Sequence, residues 1–127
     1  MDDFNPDDPR THLPRDAYYH LVHVLHAALP PGPDKPEAAA LRVRAAIAQA
    51  AALCPANPAE AALAAQFVAA NAQAMENLRV ANAPDTLPSQ AARCGAQAAS
   101  MMRQAQGALR LLMRIQGLRG KRDTDQV

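Results

Sequence analysis

Three histidines, His20, His23 and His26, recur at three-residue steps in Tyr19-His20-Leu21-Val22-His23-Val24-Leu25-His26. Residues three and four apart are neighbours on a helix surface. Asp16 lies four residues before His20, so Asp16, His20 and His23 can converge on one metal ion through a carboxylate and two imidazoles. The same side chains also make an ordinary solvated face opposite Leu21 and Leu25. A specific zinc site adds a ligand from a second element, and the sequence offers none, so no metal or other cofactor is expected.

A basic segment carries the second possible chemistry. From Thr86 to Arg122 the cations are Arg93, Arg103, Arg110, Arg114, Arg119, Lys121 and Arg122, with no Asp or Glu between them. At 3.6 residues per turn, Arg103, Arg110, Arg114 and Lys121 fall within a sector of about 40°. Such a stripe can track the phosphates of a nucleic acid. It can equally keep an alanine-rich helix in solution, or receive the acidic residues Asp2, Asp3, Asp7 and Asp8 of the same chain.

Covalent and acid–base chemistry find little support. The glutamates are Glu37, Glu60 and Glu76, and the first and second each sit where a helix cap would use them. Ser89 and Ser100 have no neighbouring base, and no Glu-x-x-His pair appears. An enzyme is not expected, and no small-molecule substrate is identified. Cys54 and Cys94 are too few for a disulfide framework. They fall at opposite ends of a long helix and are expected to be buried structural thiols, with an intermolecular role for Cys94 as the alternative.

These groups must be positioned by helices. The chain has 127 residues, of which 31 are Ala, 11 are Pro and only 5 are Gly. Leu, Ile, Val and Phe together number 23, but the net charge is only +1, so the composition is lean without being that of a disordered chain. Two Phe, two Tyr and no Trp argue against a β-sandwich core or an aromatic base-stacking platform. The uncharged runs 45–59 and 61–75 are interrupted by prolines or amides and are shorter than the roughly 20 apolar residues of a membrane span. The acidic start, Met1-Asp2-Asp3-Phe4, does not resemble a secretory signal, so a soluble cytoplasmic protein is expected.

Proline punctuation divides the chain into an all-α, four-helix, bundle-like domain at 14–120. A flexible acidic arm at 1–13 and a flexible charged tail at 121–127 are expected to flank it. Helix one should cover 15–29, with Ala17, Tyr18, Leu21, Leu25, Ala28 and Leu29 sharing one inward side. Helix two should be capped by an Asp34–Glu37 box and run to about Leu53, with Leu41, Ala45, Ala48 and Ala52 inward. Asn57-Pro58-Ala59-Glu60 repeats that signal for helix three, 58–81, with an inward stripe of Leu63, Phe67, Ala70, Ala74, Leu78 and Ala81. Helix four, from Pro88 to about Leu118, carries the strongest pattern. Ala91, Cys94, Ala98, Met101, Ala105, Ala108, Leu112 and Ile115 alternate three- and four-residue steps, which is an a/d seam. Helices three and four should pair as a long antiparallel hairpin.

The runs Leu53-Cys54-Pro55-Ala56-Asn57-Pro58-Ala59-Glu60 and Leu63 to Ala70, then Cys94 to Gln104 and Ala108 to Leu112, resemble small alanine-rich proteins of unknown function from alphaproteobacteria. The resemblance covers roughly residues 53–117. It implies that the hairpin is a unit and implies no activity, ligand or partner. The residues themselves point first to a non-enzymatic interaction or oligomerisation protein. Its contacts with a protein partner or a second copy would be Ala98, Met101, Ala105, Leu112 and Ile115. The alternative is a nucleic-acid-binding accessory protein that holds phosphates with Arg103, Arg110, Arg114 and Lys121.

Overall fold

The computed structural model describes residues 13, 15–30 and 35–125, so the acidic arm lies outside the described residues except for Leu13. Four helices follow one another: α1 (Arg15–Ala28), α2 (Pro36–Ala51), α3 (Pro58–Ala81) and α4 (Pro88–Asp125). The protein is all-α, and among the described residues there is no strand. The α3–α4 hairpin is by far the most extensive interface, while α1 and α2 pack on α3 and on each other. α3 is therefore the hub, and α4 hardly touches α1 or α2. No helix among the described residues is long and apolar enough to cross a membrane.

In α1 three residues of the expected side, Ala17, Leu21 and Leu25, are buried, while Tyr18, Ala28 and Leu29 are half-buried. Leu13 and Leu29 flank the same apolar cluster from either end of the helix. α2 departs from expectation at both ends. Lys35, not Asp34, is its N-cap and makes no side-chain cap hydrogen bond. Pro36 explains this: a proline drives the residue before it into extended backbone, and Lys35 has φ −80° and ψ 124°. The helix stops at Ala51 because the last turn tightens, Leu53 N–H donating to Ala50 O and Cys54 N–H to Ala51 O. Cys54 then adopts a left-handed φ of 55°, which leaves Pro55 buried beneath the loop.

The inward face of α2 is also not the one the pattern suggested. Leu41 is 63% exposed and Ala45 and Ala52 are exposed, whereas Ala46, Ala50 and Ala51 are buried and Ile47 packs on the core. Arg42 donates from Nη2 to the Pro30 carbonyl, 3.2 Å, tying α2 to the end of α1. In α3 the buried positions are Glu60, Ala61, Ala64, Ala65, Val68 and Ala74. Of the expected stripe only Ala74 is fully buried, while Leu63, Phe67, Ala70, Leu78 and Ala81 are half-buried. A helix packed on three neighbours has no single inward stripe, and alanine at most positions leaves the apolar direction nearly undefined.

α4 is 38 residues and about 57 Å long, and its seam faces α3 as the heptad pattern requires. Ala98 (1% exposed), Ala105 (2%) and Leu112 (0%) lie inside the hairpin, with Ala108 beside them. The helix does not fray at Gly117 and Gly120 but continues to Asp125, so residues 121–125 of the expected tail are helical. Helical glycine costs only about 1 kcal/mol against alanine, and α4 stays anchored to the α3 side as far as Arg119. At the other end Thr86 donates its hydroxyl to Val80 O, 2.6 Å, closing the turn into Pro88.

The cap of α3 does more than start a helix. Asn57 Oδ1 accepts from Glu60 N–H at 2.9 Å, and Glu60 Oε1 accepts from Ala56 N–H at 3.1 Å. Glu60 is only 1% exposed, and it also accepts from Asn57 Nδ2, from Gln116 Nε2 and from the Arg119 guanidinium. Gln116 Nε2 reaches the Leu53 carbonyl as well, at 2.8 Å. Among the described residues no buried side-chain nitrogen or oxygen lacks a partner.

Two predictions follow from this packing. Glu60→Ala removes the carboxylate acceptor of Arg119 and of the Ala56 amide, and should cost about 2–3 kcal/mol of unfolding free energy, below the range for wholly buried pairs because Arg119 is partly exposed. Urea denaturation checks it, and a midpoint unchanged from the parent would refute the linkage. A Cβ added at Gly107 or Gly117 would meet nothing within 4 Å. Gly107→Ala and Gly117→Ala should therefore each stabilise by about 0.5–1 kcal/mol, read as a rise in melting temperature.

Candidate functional site

The face of α4 turned away from α3 is built from residues whose positions the seam dictates. Because Ala98, Ala105 and Leu112 are locked inward, side chains half a turn away must point to solvent. Arg103, Arg110, Arg114 and Lys121 occupy that direction, and all four are exposed. Their 7-4-7 spacing spans about 27 Å at 1.5 Å per residue. None of the four has a carboxylate partner among the described residues, where the ion pairs are Glu76–Arg79 and Glu60–Arg119. Arg119 belongs to the same basic segment but turns inward to Glu60. Leu111 and Leu118 lie exposed along one flank of the stripe and Met113 along the other.

The expected partner-binding seam is not available on the surface. Ala98, Ala105 and Leu112 are already packed within one chain, and Met101 and Ile115 are half-buried at its edges. The heptad pattern is satisfied by α3, so a partner would have to dock elsewhere. Met101 does line a shallow open groove with Gln66, Ala69, Ala70, Gln73 and Gln104. Gln73 is tied across to α1 through the Ala28 carbonyl, 3.1 Å, so this groove has one fixed amide wall and no titratable group.

The histidine helix behaves as a solvated face. Asp16, His20, His23 and His26 are all exposed, and among the described residues no group of three His, Cys, Asp or Glu side chains is placed to hold a metal ion. Away from the stripe, Glu76 is held below the ordinary carboxylate range chiefly by its hydrogen bond from Arg79, with burial opposing. A depressed folded pKa means this contribution to stability is present near neutrality and is lost as pH falls through the carboxylate range.

Cys54 is exposed, not buried, because Pro55 rather than the thiol fills the space under the left-handed turn. Its Sγ donates to the Ala52 carbonyl, at 3.7 Å. Cys94 is half-buried in the seam. Sequence reasoning missed the second role of Glu60, which its capping position conceals. The one available signal was the antiparallel register, which brings Gln116 and Arg119 opposite the start of α3.

Comparison with protein-family models, curated proteins and solved structures finds no match.

The thiols give a direct check on the hairpin. Most of the length of α3, about 36 Å for 24 residues, separates Cys54 from Cys94. Both should titrate with a thiol reagent without denaturant, Cys54 faster than Cys94. Mild oxidation should yield no intramolecular disulfide, and a monomer crosslinked between the two would contradict the packing.

Proposed function

We propose that this is a non-enzymatic, nucleic-acid-binding accessory protein of the cytoplasm, which holds phosphates on the outer face of α4. The observation that supports it is the straight row of Arg103, Arg110, Arg114 and Lys121, exposed and without carboxylate partners among the described residues. Each cation that neutralises a phosphate releases condensed counterions, and that release drives binding. Base reading has little to work with. Gln116 is engaged by Leu53, Cys54 and Glu60, and Gln104 lines the groove, leaving Gln90, Gln97 and Gln106 as exposed amides on α4. Recognition should then be dominated by the backbone and weakly selective for sequence.

An anionic membrane surface carries phosphates too, but an interfacial helix needs an apolar face to insert. The apolar face of α4 is occupied by α3. A second reading keeps the protein–partner idea on a different surface: Leu111 and Leu118, one heptad apart and both exposed, form a docking flank beside Arg114. Self-association through the stripe itself would oppose like charges, so contact between copies would have to use that flank.

Fluorescence anisotropy with a labelled oligonucleotide at 50 mM and 200 mM salt tests the proposal. Four phosphate contacts give a log–log salt slope of about −3.6 on duplex, and each Arg→Gln or Lys→Gln change in the stripe should remove about 0.9. Absence of binding, or binding to anionic vesicles alone, would overturn it. A dimer by light scattering that Leu111→Asp dissolves would favour the second reading instead.

A further inference from the structure

We infer that the polyanion suited to this face is double-stranded nucleic acid, bound along its backbone; this rests on the phosphate-binding reading just given. Three observations converge on the duplex. α4 carries no Phe, Tyr or Trp, so the stripe offers no aromatic platform on which a base could stack. Tyr18 and Tyr19 sit on α1, packed edge-to-face on each other, and Phe67 is half-buried in α3. Proteins that grip single strands depend on such stacking, because an unpaired strand otherwise offers only a flexible and less densely charged backbone.

The stripe is also rigid. The seam from Ala98 to Leu112 packs on α3, and the Glu60–Gln116–Arg119 contacts hold the far end, so the four cations keep fixed separations. At 1.5 Å per residue these are about 10.5, 6 and 10.5 Å along the axis. A rigid straight array meets a rigid duplex without ordering it, whereas a single strand would have to be straightened along it. The span of about 27 Å corresponds to roughly eight base pairs at 3.4 Å per step.

Finally, the stripe stands on an open ridge. α4 touches α3 on one side and hardly meets α1 or α2. Single-strand binders enclose their ligand in a groove that tracks the strand. A convex row of cations instead fits the outside of a duplex, or one of its grooves.

The test uses the full chain with a 24-base-pair duplex of mixed sequence and each of its separated strands, by fluorescence anisotropy at 50 mM salt. The duplex should bind at least about fivefold more tightly, with salt slopes near −3.6 for duplex and −2.8 for single strand, the difference expected for the same four contacts. Changing Arg103, Arg110, Arg114 and Lys121 together to Gln should abolish the preference while circular dichroism shows the helices intact. Equal or tighter binding of the single strand overturns this inference and leaves phosphate binding standing. Failure of both forms to bind overturns the underlying reading as well.

Discussion

A buried carboxylate governs the geometry of this protein. Glu60 sits at the start of α3 with almost no exposure, and a charge in that position is tolerated only when its oxygens are fully hydrogen-bonded. Its donors come from three separate parts of the chain: the Ala56 amide of the loop, the Asn57 side chain of the cap, and Gln116 with Arg119 on α4. The same Gln116 amide reaches back to the Leu53 and Cys54 carbonyls. One carboxylate thus joins the end of α2, the beginning of α3 and the last turns of α4.

That junction matters because the rest of the hairpin is made of small side chains. An alanine seam allows two helices to approach closely, but successive alanines look alike, so a slip of one heptad costs little packing energy. A polar contact at a single position sets register far more sharply, as buried polar residues do in coiled coils. The apolar contribution is concentrated near the same end, where Leu21 and Leu25 of α1 and Leu112 of α4 belong to one buried cluster with Ala46, Ala50, Ala64, Ala65 and Val68. Register and burial reinforce each other there, and the opposite end relies on the Thr86 turn and the alanine contacts.

Fixing the rotation of α4 also fixes what it shows to solvent. With the seam inward, the cations of the 7-4-7 pattern can only face outward, and the acids of α4, Asp123 and Asp125, come only after the last of them. Glu60 is buried, Glu76 is held by Arg79, and Asp16, Glu37 and Asp85 are exposed on other elements. A chain of net charge +1 therefore presents a locally positive ridge. Inward-turning Arg119 marks the division of labour within the basic segment: one arginine holds the fold, and the stripe remains available to a ligand.

Much of this was legible in the residues taken one after another. Prolines at 36, 58 and 88 mark three helix starts, Asn57 and Glu60 mark a cap, and the heptads of α4 name the residues that α3 covers. Those features are local, or repeat along one helix, so the sequence displays them directly. The inward faces of α2 and α3 were misread because alanine occupies nearly every side of both helices. Leu41 and Phe67 then drew the pattern towards directions that packing did not choose. The seam's partner was undecidable for a related reason: periodicity states that a face is buried, never against what. Helix starts and heptads are short-range properties, set by backbone sterics and side-chain spacing. The pairing of Glu60 with residues more than 50 positions away, the covering of the seam by α3 and the outward aim of the basic stripe follow from how the helices pack, and only the tertiary structure decided them.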